Sequence, residues 1–141
     1  MGGVDLAYHR HLVGHSDADV LLHAVTDALL GAAGLGDIGE LFPDTAAENR
    51  GRDSAQMLEL VVGQVRRAGF EIVNLDCIVF AELPKLSAYK AAIRGRIAEL
   101  LAIPPDAVGI KAKTGEQVGP VGRQEALMAE CVVLLQAPPS P

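Results

Sequence analysis

Apolar residues recur at intervals of three and four in three segments of the chain, the spacing that places them on one face of a helix. The three predicted helices lie within residues 15–34, 53–69 and 87–103. Gly69 and Pro104 stand where the second and third helices should end, because glycine and proline commonly follow the last helical turn. Ser16 is the predicted N-cap of the first helix, and Asp19 has the capping-box position three residues later.

Three further segments are rich in β-branched and aromatic residues and predict strands. They read FEIVNLDCIVFAE, VGIKAKT and EALMAECVVLLQ, and they cover residues 70–82, 108–114 and 125–136. The pattern of the last segment fits a helix or a strand, and its CVVLL run favours the strand. Between the first two helices, GLGDIGELFPDT predicts a long loop with at most a short helical turn. Strands alternating with helices imply α/β-type layering, in which helices cover one face of a sheet.

Length and charge narrow the class of protein. The 141 residues are 50% hydrophobic, so we expect one domain at 1–137 and a disordered tail at 138–141. The net charge of −6 is spread along the chain, which argues against nucleic-acid or membrane-surface binding. No apolar run approaches the roughly 20 residues of a membrane span, and no signal peptide opens the chain, which favours the cytoplasm. Cys77 and Cys131 lie in apolar runs and predict small buried side chains rather than a disulfide framework.

The first predicted helix carries an unusual set of polar residues. It would stack Asp19, His23 and Asp27 along one side, at positions i, i+4 and i+8. A histidine flanked by carboxylates has its tautomer fixed and offers its other nitrogen to a metal or a substrate. The alternative is a buried histidine with satisfied hydrogen bonds, between aspartates that are caps or surface charges. The spacing alone leaves both interpretations open.

Two segments around this helix suit a phosphorylated polyol. His15 and Ser16 precede the helix, where backbone N–H groups and the helix dipole favour an anion; a cap beside a solvated histidine fits equally well. Asp37 and Asp44 belong to the long loop and suit hydrogen bonds to hydroxyl groups. An acidic loop by itself is an unspecific signal.

The segment KAKTGEQVGPVGR at the end of the second predicted strand combines two lysines, a threonine, Glu116 and several glycines. This composition suits a diphosphate and a divalent cation, with Glu116 as an oxygen ligand. A glycine-rich hairpin is the alternative.

Together these stretches resemble one enzyme family. HSDADVLLHAVTDALLGAAGLGDIGELFPDT, then GRDS, and then KAKTGEQVG with GRQEA closely resemble 2-C-methyl-D-erythritol 2,4-cyclodiphosphate synthases, from Gly2 to about Gln136. The resemblance implies an α+β fold, a mixed β-sheet with helices packed on one face, in a homotrimer with active sites between subunits. It implies that the chain converts a CDP-linked substrate, 4-diphosphocytidyl-2-C-methyl-D-erythritol 2-phosphate, to the cyclic diphosphate and releases CMP.

The resemblance also assigns roles to residues. His23 matches a zinc ligand, and Glu116 matches a ligand of magnesium or manganese. His15 and Thr114 match the residues that stabilise the transition state and are the predicted catalytic residues. The predicted substrate-binding residues are His15, Ser16, Asp37, Ile38, Gly39, Phe42, Pro43, Asp44, Lys113, Thr114, Glu116 and Arg123.

Two other regions match parts of the family's ligand sites. Residues 81–87 match part of the cytidine site. Arg123 and Glu130 match positions near the trimer axis, where some members bind an isoprenoid diphosphate. Pro120 stands at a position that is often aromatic, so isoprenoid binding is expected to differ here.

The start of the chain departs from the family pattern. Family members begin with a strand of the form GxGxDxH, whose aspartate and histidine supply the other two zinc ligands, and this sequence starts later. His9 and His11 belong to the hairpin that leads to His15 and are not expected to replace them. The expectation is that the start was misassigned or removed. A non-catalytic trimeric module that binds a CDP-type nucleotide or an isoprenoid diphosphate is therefore the alternative function.

Overall fold

The computed structural model describes residues 1–6, 17–43, 45–49 and 51–137. Five α-helices and three strands are assigned in these ranges: α1 (Val20–Ala33), α2 (Ile38–Leu41), α3 (Ser54–Arg67), β1 (Glu71–Phe80), α4 (Lys90–Leu101), β2 (Val108–Lys113), α5 (Gly119–Gly122) and β3 (Met128–Gln136). Short 3-10 turns occupy Ala47–Asn49, Leu86–Ala88 and Pro105–Ala107. Predictions for 7–16, 44 and 138–141, which include His15, Ser16, Asp44 and the tail, fall outside the described residues.

The strands form a mixed sheet in the order β2-β1-β3. Strand β1 runs parallel to β2 and antiparallel to β3. In the register of this sheet, Cys77 in the middle of β1 lies opposite Ile110 of β2 and Cys131 of β3. The mixed sheet confirms the predicted α+β class.

The core forms where the helices meet the sheet. Alternate residues of β1 are buried, namely Leu75, Cys77 and Val79, as expected for a strand with one face against helices. Helix α1 packs against β3 and α3, and α4 packs against β2. The opposite side of β3 is apolar yet exposed, with Val132 75% accessible and Leu134 57% accessible.

Helix α1 begins later than predicted. Its N-cap is Asp19, whose carboxylate accepts a hydrogen bond from the Leu22 N–H at 3.1 Å. The prediction of Ser16 as the N-cap was wrong, because the Asp19 carboxylate already satisfies the first turn. Asp19 also accepts hydrogen bonds from the Gly2 and Gly3 N–H groups, each at 2.8 Å.

The remaining elements follow the sequence prediction closely. The second predicted helix and all three strands are present, and α2 is the short helical turn expected in the acidic loop. The third helix starts at Lys90 rather than 87, because Leu86–Ala88 forms a 3-10 turn. No helix among the described residues is both long and apolar enough to cross a membrane.

Candidate functional site

The start of α3 and the second turn of α1 meet at a polar cluster. Ser54 is 1% exposed, and its hydroxyl hydrogen-bonds the Asp17 carboxylate and lies 2.8 Å from His23 Nε2. A serine has a single hydroxyl proton. If the serine donates that proton to Asp17, the imidazole must donate from Nε2, and the neutral ring then carries its proton there. The hydrogen bond with Ser54 therefore orients the His23 ring.

The two aspartates on either side of His23 hold different backbone segments. The Asp19 carboxylate accepts hydrogen bonds from the backbone N–H groups of Gly2, Gly3 and Leu22. Asp27 accepts a hydrogen bond from the Ile38 N–H at 2.8 Å. Of the two interpretations that the spacing leaves open, these contacts favour the one in which the aspartates are caps, because each carboxylate holds a different backbone segment.

The acidic loop is held in shape by two of its own predicted site residues, Asp37 and Phe42, and by Arg52, which the sequence interpretation missed. Asp37 caps α2 by accepting from the Glu40 N–H at 2.8 Å. Phe42 is buried, and the Arg52 guanidinium lies 5.1 Å from its ring centroid, within cation–π range.

Hydrogen bonds from Asn49 and Arg52 support Pro43, the next residue of that loop. The Asn49 side-chain amide donates to the Pro43 carbonyl at 3.0 Å, and Arg52 donates to Asn49 at 2.9 Å. Arg52 belongs to the GRDS motif, so this motif was the sequence feature that could have identified Arg52 as part of the site. Residues 37–43 therefore form a supported surface.

The loop after β2 is built on close backbone contact. A Cβ on Gly115 would lie 2.3 Å from the Gly122 nitrogen, so no other residue fits without movement. Glu116 and Gln117 both have left-handed backbone, with φ of 51° and 64°. The Glu116 N–H donates to the Thr114 hydroxyl at 3.3 Å.

This conformation presents three of the predicted ligand residues to solvent. The side chains of Lys113, Thr114 and Glu116 are exposed. A cation, a hydroxyl and a carboxylate thus share one short loop at the end of a parallel strand, a composition suited to phosphate groups and a cation.

Arg123 already has a partner. Its guanidinium donates two hydrogen bonds to the Glu125 carboxylate, at 3.0 and 2.9 Å. These hydrogen bonds raise the pKa of Arg123 and lower the pKa of Glu125. Any anion at Arg123 would have to compete with this exposed carboxylate.

One cleft among the described residues lies near the start of the chain and of α1. It has a volume of about 390 Å³ and is lined by Gly3, Asp17, Asp53, Pro84 and Arg96, among others. Among the described residues predicted to bind ligands, Pro84 of the 81–87 segment lines this cleft, whereas Lys113, Thr114 and Glu116 do not. The described part of the chain also contains no group of three His, Cys, Asp or Glu side chains placed to hold a metal ion.

Fold and site together define an α+β protein with a three-stranded mixed sheet and a phosphate-suited loop at the end of its parallel strand pair. Within that class, the chain belongs to the YgbB family, whose sequence model it matches over residues 1–136. The resemblance drawn from the sequence is confirmed.

Curated relatives cover almost the whole chain. A bifunctional enzyme IspD/IspF from Albidiferax ferrireducens is 56% identical over 136 residues, which are 96% of this chain and 32% of that protein. The chain thus spans about a third of that relative. A 2-C-methyl-D-erythritol 2,4-cyclodiphosphate synthase from Rhodopirellula baltica is 53% identical over 135 residues, covering 96% of this chain and 81% of that protein.

Solved structures show the same fold. The bifunctional IspDF from Campylobacter jejuni superposes with a TM-score of 0.91 at 42% identity, over 95% of this chain and 36% of that one. The Plasmodium falciparum IspF in a CDP complex superposes with a TM-score of 0.80 at 31% identity, over 90% of this chain and 76% of that one.

Proposed function

We propose that this chain is a cyclodiphosphate synthase that converts 4-diphosphocytidyl-2-C-methyl-D-erythritol 2-phosphate to 2-C-methyl-D-erythritol 2,4-cyclodiphosphate and CMP. The observation that carries the proposal is the 53% identity, over 96% of this chain, to a relative that bears the synthase name. The loops described above support it, since they offer the side chains that a diphosphate substrate requires.

The proposed reaction is an intramolecular phosphoryl transfer. An oxygen of the 2-phosphate attacks the β-phosphorus, the bond from that phosphorus to the bridging oxygen breaks, and CMP leaves with the bridging oxygen. Such a reaction depends mainly on positioning and on stabilising charge. The protein must therefore hold the polyol, the diphosphate and the cytidine in line.

In this proposal, three segments among the described residues each bind one part of the substrate. The supported loop at 37–43 takes the methylerythritol part, residues 81–87 take cytidine, and Lys113, Thr114 and Glu116 take the diphosphate. His15, Ser16 and Asp44 complete the set by resemblance. Thr114 is already oriented by its hydrogen bond with the Glu116 N–H at 3.3 Å.

The proposed metals are zinc at His23 and magnesium or manganese at Glu116. When bound, such ions polarise phosphate oxygens and neutralise developing charge. The described residues alone do not make a zinc site, because they provide no group of three possible ligands. The zinc proposal therefore requires further ligands beyond those residues, and His23 would supply one, oriented by Ser54.

We further propose a homotrimer that uses the outer face of β3. Met128, Val132 and Leu134 are 50%, 75% and 57% accessible and lie on the same side of the strand. Glu130, which the resemblance assigns to a position near the trimer axis, is exposed on the same side of the strand. An apolar row of this kind is typical of an interface.

Activity is tested by incubating the protein with the CDP-linked substrate, zinc and magnesium, and measuring CMP by chromatography. The Thr114→Ala variant should release CMP at least about a hundredfold more slowly, as expected when a charge-stabilising group is lost. Glu59→Ala, on the exposed side of α3, is the matched control and should behave as wild type. Absence of CMP from the wild-type protein would contradict the proposed activity.

Assembly is tested by sedimentation velocity. The wild-type protein should sediment as a trimer, and Val132→Asp should shift it to a smaller species because a charge at the interface is costly. Leu60 on α3 is 47% accessible, so Leu60→Asp controls for adding a charge to an exposed apolar site. An unchanged Val132→Asp trimer would place the interface elsewhere.

The alternative function is a trimeric module that binds CDP-type nucleotides without turnover. The structural similarity to the Plasmodium falciparum IspF in a CDP complex supports nucleotide binding in either case. Calorimetric titration with CDP, together with metal analysis of the purified protein, separates the two. Binding with neither bound zinc nor CMP release supports the module, whereas CMP release supports the enzyme.

A further inference from the structure

The carboxylate of Glu82 joins two loops that are far apart in the sequence. Glu82 follows the end of β1, and one of its oxygens, Oε2, accepts hydrogen bonds from the Gly115 N–H at 3.1 Å and the Gln117 N–H at 3.4 Å. Its side chain is only 14% exposed. A largely buried carboxylate on two backbone N–H groups is a strong positional restraint.

The two loops differ in how much other support they have. The 81–87 loop is held by the Ala81 N–H, which donates to the Lys113 carbonyl at 2.9 Å, and by the buried Leu86. The tip of the 113–117 loop holds two residues, Glu116 and Gln117, in left-handed backbone. Non-glycine residues adopt that conformation only when their surroundings impose it.

Glu82, which lies outside the 113–117 loop, helps to hold Glu116 and Gln117 in this left-handed conformation. Its two hydrogen bonds flank Glu116, because they bind the residues immediately before and after it. The contact between Gly115 and Gly122 fixes the loop from the other side. Glu82 therefore helps to hold the backbone on both sides of Glu116.

We propose that Glu82 is a positioning residue that fixes the diphosphate-binding tip at 114–117 relative to the cytidine-binding loop at 81–87. This inference rests on the proposed function, which gives the two loops their ligands. A nucleoside diphosphate would then bind both loops as one unit, whereas a nucleoside monophosphate would depend mainly on the 81–87 loop. Glu82 lies in the 81–87 segment, but its carboxylate accepts from the Gly115 and Gln117 N–H groups, so it favours CDP over CMP by holding the 114–117 tip.

The first test is made without any nucleotide. Amide hydrogen exchange at Gly115 and Gln117, measured by NMR, should be at least about tenfold faster in Glu82→Ala than in wild type, because each amide loses its acceptor. Glu82→Gln keeps one acceptor oxygen and should restore most of the protection. Glu59→Ala is the matched control for loss of one negative charge. Unchanged exchange in Glu82→Ala overturns the inference, whatever the protein binds.

The second test compares two ligands by calorimetry. Glu82→Ala should weaken CDP binding about tenfold and change CMP binding less than about twofold, because only the 114–117 tip is released. Equal weakening of both ligands would show a general structural role and overturn the inference. If the wild-type protein binds neither ligand, the proposed function fails, and the exchange measurement still decides whether Glu82 positions the loop.

Discussion

The carboxylate of Asp19 allows a quantitative test of how the start of the chain is fixed to α1. It is 6% exposed and accepts three backbone hydrogen bonds, from Gly2 and Gly3 at 2.8 Å and from Leu22 at 3.1 Å. Loss of an N-cap costs about 1 kcal/mol. Each hydrogen bond to a charged group contributes about 1.5 kcal/mol or more, so Asp19→Ala should lower the free energy of unfolding by about 4 kcal/mol.

The assay is urea denaturation followed by circular dichroism, at one fixed protein concentration because the stability of the proposed trimer would depend on that concentration. With a slope of about 2 kcal/mol per molar urea, the midpoint should fall by about 2 M in Asp19→Ala. Asp19→Asn keeps one oxygen acceptor and should lose about half as much. It also provides a measurement if the alanine variant does not fold.

Asp27→Ala is the control, because Asp27 makes one hydrogen bond, to the Ile38 N–H, in an exposed setting. It should cost about 1 kcal/mol or less. Equal losses for Asp19→Ala and Asp27→Ala would refute the argument, since the buried carboxylate would then contribute no more than an exposed cap.

Three further predictions follow from other contacts. Gly122→Ala should abolish CDP binding by calorimetry while α-helical circular dichroism is retained, because its Cβ would lie 2.5 Å from the Gln117 carbonyl carbon; Gly31→Ala, with open space around its Cβ, should bind as wild type. Ser54→Ala should weaken zinc binding about tenfold or more in a competition titration with a chelating dye, because loss of a residue that orients a metal ligand typically has this effect; unchanged affinity would contradict the role given to Ser54. The hydrogen bond with Cys131 and burial raise the pKa of the Cys77 thiol, so iodoacetamide at about pH 8 should label Cys77 far more slowly than a model thiol by mass spectrometry, and equal rates would show that the thiol is accessible.

Much of the fold was predictable because its elements have regular periodicity. Helix α3 and strand β1 followed directly from apolar spacing and β-branched content. The exact start of α1 was not predicted, because Ser16 and Asp19 are both residue types that cap helices, and the additional contacts of Asp19 with residues 2 and 3 are distant in sequence. Local capping rules consider only neighbouring residues.

The residue types of the candidate site could be predicted from the sequence. The contacts that arrange them in space were harder to predict. The segment with Lys113, Thr114 and Glu116 was recognised from its residue types, and the structure exposes all three. The brace from Glu82 was not foreseen, since a carboxylate after a strand carries no signal of the backbone it will bind. The pairing of Arg123 with Glu125 was missed for a similar reason, because charge spacing in a loop does not determine which side chains meet.

The contact between Gly115 and Gly122 limits how this loop could be redesigned. Any side chain at either position would strike the opposite backbone, so ligand preference can change there only through the outward residues such as Lys113 and Thr114. An insertion between the two glycines would separate surfaces that now touch. We therefore expect the ligand preference of this loop to change through substitution of its outward side chains, while the number of residues between Gly115 and Gly122 stays the same.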